Sequence, residues 1–419
     1  MVPQTLPALK QDASKSASYV CQESGVILLR RIKAMRRRTS NDQRYILVIF
    51  ISLLTCSLWN GVSLSAETAI PTKHYTVRLQ AITSTLDHPW SLAFLPDNRF
   101  LVTERSGLLR IISANGTLSD PISGLPKIIA EGQGGLLDIA LSPDFSESGL
   151  IYFTYSEPGP DGSSTALARA VLDLPTMSLK DVRVLFSQQP KSDDGRHFGS
   201  RIVIARDGNL FITTGDRGQR GQVQNPKINR GQIIRVKPDG TIPKDNPFFG
   251  RPSYRPEVWS MGHRNPQGAA LHPTTGELWT VEHGARGGDE INIPRAGRNY
   301  GWPVISYGRH YSGLKIGEGT HKEGMEQPIY YWDPSIAPSG MTFYTGAIFP
   351  AWKDNLFVGA LKDRMLVRLT LRGEKVVDEE RMLMDLDERI RDVRQGPDGY
   401  LYILTDSPNG QLIRLTLQK

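Results

Sequence analysis

The chain has 419 residues, 39% of them hydrophobic, enough to bury one large core or two ordinary ones. Its formal charge of +7 is unevenly placed: residues 1–66 hold nine of the 50 Lys/Arg and three of the 43 Asp/Glu, leaving 41 basic and 40 acidic residues beyond them. The basicity thus belongs to the first segment, which argues against a nucleic-acid-binding or membrane-surface role for the rest.

That first segment reads as a secretion signal. Arg36, Arg37, Arg38 and Arg44 precede an apolar run from Tyr45 to Trp59, and small residues continue up to Ala66. The run is shorter than the ~20 residues a spanning helix needs. Cleavage after Ala66 is expected, with no stable membrane span, giving a periplasmic or secreted protein of residues 67–419. A start at Met35 would give the leader an ordinary length. Leu53-Leu54-Thr55-Cys56 partly matches a lipoprotein box, but Thr55 stands where Gly, Ala or Ser is expected, so a lipidated membrane form is the less favoured reading. Both cysteines, Cys21 and Cys56, lie in the leader, which excludes disulfides, thiolate metal sites and a cysteine nucleophile in residues 67–419.

Beyond the leader, apolar segments are short and bounded by Gly, Pro, Asn and Asp, with little helical periodicity. A turn and then Leu-aromatic-aliphatic-Thr, or a close variant, recurs in chain order at Asn98–Thr103, Gly149–Thr154, Gly208–Thr213, Gly276–Val281, Asp354–Gly359 and Gly399–Leu404. Six copies spaced by 45 to 78 residues predict an all-β, six-bladed β-propeller of four-stranded blades, in one domain. Each phrase starts on one face of the disc and ends on the other. The residues just past its ends (Glu104, Asp216, Glu282, His283, Lys362, Asp406) therefore meet those that enter each hairpin (Gln133, His197, Arg264, Arg391) on one rim.

The third copy sits in a hairpin from Lys191 to Arg220, in which Arg201–Ala205 and Leu210–Thr214 flank Arg206-Asp207-Gly208-Asn209. A two-residue Asp-Gly loop pairs Arg206 with Asn209 and leaves His197 and Asp216 side by side at the far end, one step off the ladder. A carboxylate beside an imidazole fixes its tautomer and supports its conjugate acid, as a general base requires; a strand-end His beside a loop-capping Asp is the bland alternative. Next along the chain, Glu282-His283-Gly284-Ala285-Arg286-Gly287-Gly288-Asp289-Glu290 is a glycine-rich turn with acids at both ends, whose carbonyls and carboxylates suit Ca²⁺ but match no EF-hand spacing. Arg264, Lys362, Arg389 and Arg391 form a cationic set from three blades, suited to a compact ligand with several carboxylates. An Asp398-Gly399 loop places Arg391 opposite Asp406. Trp302, Tyr311 and Trp332 offer rings for a sugar, although core packing is the commoner fate of such residues. No P-loop, dinucleotide fingerprint, Gly-x-Ser-x-Gly elbow or His-Glu-x-x-His is present.

Seven collinear stretches from about residue 75 onward carry a resemblance: GQGGLLDIALSPDF (132–145), HFGSRIVIARDGNLFITTGDRG (197–218), GHRNPQG (262–268), EHGARGGDEIN (282–292), IAPSGMTFYTG (336–346), GALKDR (359–364) and RIRDVRQGPDG (389–399). Together they resemble the glucose/sorbosone dehydrogenases, in particular the soluble pyrroloquinoline quinone (PQQ)-dependent aldose sugar dehydrogenases. The resemblance implies a quinoprotein oxidoreductase that oxidises aldoses at the anomeric carbon to aldonolactones. His197 would be the general base and Asp216 its orienting acid. Gln133, Arg264 and Asn265 would contact quinone and substrate, while Lys362, Arg389 and Arg391 hold the cofactor's carboxylates and quinone oxygens. The carbonyls of Gly284 and Ala285 would ligate a Ca²⁺ bridging to PQQ, with Ala285 where the glucose enzyme has proline. The implied partners are an aldose and an electron acceptor that the residues do not specify; oligomeric state is likewise unspecified. Two rivals stay open: a calcium-dependent lactone hydrolase, which would need metal-binding acids in the central channel, and a propeller that binds saccharide or protein without turnover.

Overall fold

In the computed structural model, which describes residues 69–418, each copy of the recurring phrase is the second strand of a blade. Phe100–Glu104, Leu210–Thr214, Leu278–Glu282, Leu356–Ala360 and Leu401–Thr405 are buried at every position. Alternate side chains of a strand point to opposite faces, and here each face meets a neighbouring blade. Leu210 and Ile212 thus pack with Tyr152 and Phe186 of the blade before, while Phe211 packs with Leu278 of the blade after. Apolar side chains are needed on both faces, so the phrase lacks a polar alternation.

Six sheets form, each an antiparallel meander whose first strand lies innermost. Six apolar clusters fill the six blade-to-blade interfaces, the last joining Tyr402, Leu404 and Leu412 to Leu92, Phe100 and Val102. The ring is closed by the chain's ends. Thr76–Leu86 pairs antiparallel with Gly410–Leu417 and becomes the outer strand of the sixth blade, which Ala69–Pro71 extends to five strands. The first blade departs from the expected four strands and has three, Pro89–Phe94, Phe100–Glu104 and Leu108–Ile112. The stretch beyond Ile112, carrying Gly116, Pro121, Gly124 and Pro126, makes only isolated bridges, because prolines cannot donate to a ladder.

The expected hairpin register is displaced by one. Ala205, not Arg206, faces Asn209, because the loop has three residues with Gly208 left-handed at φ 82°. A bulge between Gly199 and Ile202 then shifts the pairing again, so that Gly199 faces Thr214. The second shift carries His197 to Asp216. In the sixth blade Ile390 faces Thr405, and the Asp406 N–H donates to Arg389 O at 2.7 Å, so Arg389 rather than Arg391 stands opposite Asp406 in the backbone.

Beneath the rim, the inner strands meet in a buried ionic cluster. Asp138, fully buried, accepts from Ser91 Oγ (2.5 Å), Ile202 N (2.7 Å), Arg394 Nη2 (2.8 Å) and Arg201 Nη1 (3.3 Å). Asp392 pairs with the same two arginines, at 3.0 Å from Arg201 and 2.8 Å from Arg394. No helix among the described residues is long and apolar enough to cross a membrane. The leader, its cleavage point and both cysteines lie outside the described residues.

Candidate active site

His197 and Asp216 meet as the sequence predicts: Nδ1 lies 2.6 Å from Asp216 Oδ1. Neither residue is on the ladder itself, so other groups hold them. The His197 N–H donates to Gln133 Oε1 (2.8 Å), and the Asp216 N–H to Arg264 O (2.9 Å). Between them the chain runs through Gly215, where a Cβ would collide with the His197 carbonyl, so only glycine permits this approach. His197 itself adopts φ 55°, a left-handed conformation that an imidazole-bearing residue adopts at a cost.

The electrostatics fix which nitrogen carries the proton. Asp216 is buried, which opposes ionisation, but the hydrogen bond from His197, the nearby Arg264 charge and the Gly218 N–H together hold its carboxyl below the usual range. Its other oxygen accepts from Trp302 Nε1 at 2.9 Å. Burial pushes the His197 imidazole below its ordinary value, and Arg264 pushes the same way against the pull of Asp216. The result is a neutral imidazole whose Nδ1–H donates to an ionised carboxylate, leaving Nε2 as a lone-pair acceptor.

Beside this pair a recess of about 140 Å³ opens on the rim. Gln133, Arg389 and Arg391 line it as expected, together with His283, expected on the rim, and three residues not singled out in the sequence: Trp90, Arg105 and Gln267. Phe198 and Gly199, next to His197, form the near wall. Among the described residues no acid lines the recess, and Trp90, Phe198, Leu137 and Leu361 give it apolar walls between the cations. A planar anion fits such a lining; a metal-activated water held by acids does not.

The cations are held in different ways. Asp406 Oδ2 accepts from Arg391 (2.8 Å) and Arg389 (3.0 Å), and its Oδ1 lies 2.9 Å from His88 Nδ1. Against its burial, these neighbours keep Asp406 strongly ionised. Arg391 also donates to Gln267 Oε1 (3.1 Å). Arg264 is buried; it donates to His283 O (3.1 Å) and lies 5.3 Å from the Trp302 ring centroid. Its backbone N–H is fixed by Glu282 (2.5 Å), which also binds buried His263. Asn265 Oδ1 accepts from Gly199 N (3.0 Å). Lys362 is exposed and donates to Ser335 O (2.8 Å) and Asp363 (3.0 Å), apart from the recess lining. His283 is the second imidazole here; burial pushes it down to about 3, and its Nε2 donates to Pro338 O (2.6 Å).

The glycine-rich turn, whose carbonyls and carboxylates were expected to suit Ca²⁺, has its acids engaged elsewhere. Asp289 accepts from Gly284 N (2.7 Å), Ile336 N (2.8 Å), Ala337 N (3.0 Å) and Ser335 Oγ (2.7 Å), so it ties the turn to the next blade. Glu282 is consumed by His263 and Arg264. Among the described residues no group of three or more His, Cys, Asp or Glu is placed to hold a metal. What the turn offers an ion is carbonyl oxygen, at Gly284 and Ala285. Trp302 serves Asp216 and Trp332 donates to Glu379 (2.8 Å), so neither is a free platform; Tyr311 is 76% exposed.

Known proteins share this sequence and fold over most of the chain's length. The family model for glucose/sorbosone dehydrogenase matches residues 86–414. The aldose sugar dehydrogenase YliI of Escherichia coli (strain K12) is 48% identical over 345 residues, covering 81% of this chain and 93% of that protein. The apo crystal structure of the soluble E. coli aldose sugar dehydrogenase superposes with a TM-score of 0.80 over 82% of this chain and 100% of that one. Quinoprotein glucose dehydrogenase B of Acinetobacter calcoaceticus is 28% identical over 85% of this chain and 91% of its own length. The PQQ-bound aldose sugar dehydrogenase of Streptomyces coelicolor, also 28% identical, superposes with a TM-score of 0.69 over 83% of this chain and 100% of that one.

Proposed function

The chain belongs to the glucose/sorbosone dehydrogenase family, an oxidoreductase of the sugar-dehydrogenase class, and from that premise we propose that it oxidises aldoses at the anomeric carbon to aldonolactones with PQQ as its cofactor. PQQ, when bound, supplies the two-electron acceptor that takes the hydride from the sugar carbon. The chain's own part is proton handling and placement. His197 Nε2 takes the proton of the anomeric hydroxyl, and Asp216 supports the imidazolium that results. Trp302 holds the far oxygen of that carboxylate, and Gln133 holds the His197 backbone.

Arg391, Arg389 and Gln133 would hold the cofactor from the recess walls, with Asn265 behind Gly199 and with Arg264 and Lys362 as further contacts from outside the lining. The carbonyls of Gly284 and Ala285 would hold Ca²⁺, a hard cation that takes oxygen ligands and would act as a Lewis acid. The leader over residues 1–66, removed on export, delivers the propeller to the periplasm or beyond. The observation that carries this reading is the His197 imidazole, 2.6 Å from the buried Asp216 carboxylate, at the edge of a recess lined by cations and, among the described residues, by no acid. The same lining disfavours a calcium-dependent lactone hydrolase.

Reconstitution tests it. The chain without its leader, loaded with PQQ and Ca²⁺, is expected to reduce a redox dye with aldoses as donors, and to lose that activity without PQQ or after EDTA. Lactone cleavage in the absence of PQQ would instead favour the hydrolase, and neither activity would leave a binding propeller.

A further inference from the structure

Three arginines line the recess, and they differ in one respect. Arg389 and Arg391 are both engaged by Asp406. Arg105, which enters from the end of the first blade's second strand, has a guanidinium that donates no hydrogen bond and forms no ion pair among the described residues. It is partly buried, and with Arg389 it forms the common wall between the recess and an adjoining charged cleft that contains His88, Arg364, Asp387, Glu388 and Asp406, none of which its guanidinium pairs with. A partly desolvated cation with five vacant donors is costly to leave without an anion. Other cations nearby have been given one: Arg364 pairs with Asp387 (2.8 Å), and Arg110 with Glu104 (2.9 Å).

The backbone is arranged to keep Arg105 there. Its N–H donates to His88 O (3.0 Å), and Gly135, at φ 149°, packs so closely that a Cβ would collide with the Arg105 carbonyl and press on its Cγ. The last glycine of the GQGG stretch thus makes room for this arginine. The acidic neighbour Glu104, a ready counter-ion by its place in the sequence, is directed away, to Arg110 and to the Asp87 N–H (2.8 Å).

We propose that Arg105 is a cofactor-binding residue, whose guanidinium forks onto a carboxylate of PQQ from the first blade. This inference rests on the proposed PQQ dependence. In the ring, the sixth blade lies across the axis from the third, which carries His197, and the first lies beside the sixth. With Arg105 joining Arg389 and Arg391, the arginines that line the recess all come from two neighbouring blades, the sixth and the first. A fork from Arg105 would add to the contacts that fix how a tricarboxylate quinone lies in the recess.

The test is direct binding of PQQ, with Ca²⁺ present, to protein freed of cofactor, read by equilibrium dialysis and by quenching of tryptophan emission. Losing a bidentate charge-assisted contact is expected to weaken binding on the order of 10- to 100-fold in Arg105→Gln. Arg105→Lys, which keeps the charge but not the fork, is expected to fall between, and serves if the glutamine variant fails to fold. Arg364→Gln removes one charge from the adjoining cleft and is expected to change affinity less than about threefold, the scale of an exposed charge. Wild-type affinity in Arg105→Gln, or equal losses in the Arg105 and Arg364 variants, would overturn the assignment. Failure of the wild-type chain to bind PQQ would instead remove the cofactor reading itself.

Discussion

His197→Ala is expected to cut turnover with aldoses by about 10²–10⁴-fold, the usual contribution of a positioned general base, while PQQ still binds. The expectation comes from the division of labour in the site. The imidazole contributes no charge to the recess, because burial and Arg264 keep it neutral, so its loss should not release a carboxylate-anchored ligand. Nor does the recess lining offer a ready replacement. His283 reaches the same recess, but at a pKa of about 3 it is too weak a proton acceptor near neutral pH, and its Nε2 is tied to Pro338 O. A pH dependence comes with this assignment. The base works only when unprotonated, so activity should fall as pH drops through the His197 pKa. That value lies below the ~6.5 of free imidazole, which places the acid limb of kcat/KM below ~6.5. Steady-state kinetics at saturating PQQ decide the matter: near-normal turnover in the alanine variant, or an acid limb above ~6.5, would dismiss His197 as the base.

The architecture was legible because one requirement was written into the chain six times. A strand sandwiched between two blades must be apolar on both faces, and Leu-Phe-Ile-Thr at 210–213 or Leu-Tyr-Ile-Leu at 401–404 satisfies that demand visibly. The pairing of His197 with Asp216 was legible for the same reason, since both flank such a hairpin. The exact register was not. A three-residue loop and a bulge at Ser200, each costing one step, reset it, and backbone conformations of that kind leave little trace in residue type. Lys362, expected among the cofactor's cations, lies at the rim rather than in the recess lining, because its chain is drawn to Ser335 O and Asp363.

What stayed hidden are contacts between residues far apart in the chain. Trp302 is 86 positions from Asp216 and reaches it through a long loop of the fourth blade. Asp289 looks like a metal acid in the glycine-rich turn, yet its oxygens are spent on N–H groups nearly 50 residues away. Arg105 adjoins Glu104, an ordinary partner, and only the folded chain separates the two. Arg201 sits inside a run that otherwise reads as strand core, RIVIA, and nothing local marks it as the residue at the axis.

That axis carries the second large effect. Asp138→Ala is expected to destabilise the propeller by about 3–5 kcal/mol, since it strands buried charge rather than merely losing a contact. The Arg201 side chain is 1% exposed and is left with Asp392 as its one carboxylate, which it must then share with Arg394. The Ile202 N–H and the Ser91 hydroxyl also lose their acceptor in a place without access to solvent. Asp97→Ala is the fitting comparison: it deletes an ion pair with Arg99 on the surface, where such pairs contribute about 0–1 kcal/mol. Urea melts of the two variants should therefore separate clearly, and coincident midpoints would mean that the cluster does not hold the inner strands. The effect should also reach the recess. Arg201 donates to Gln267 O (2.7 Å) and lies 4.1 Å from the Trp90 ring centroid, and both residues line the cavity above. At urea concentrations where Asp138→Ala remains folded, its affinity for PQQ should already be weaker than that of the wild-type chain, because the same arginine that neutralises Asp138 supports Trp90 and Gln267 in the recess lining.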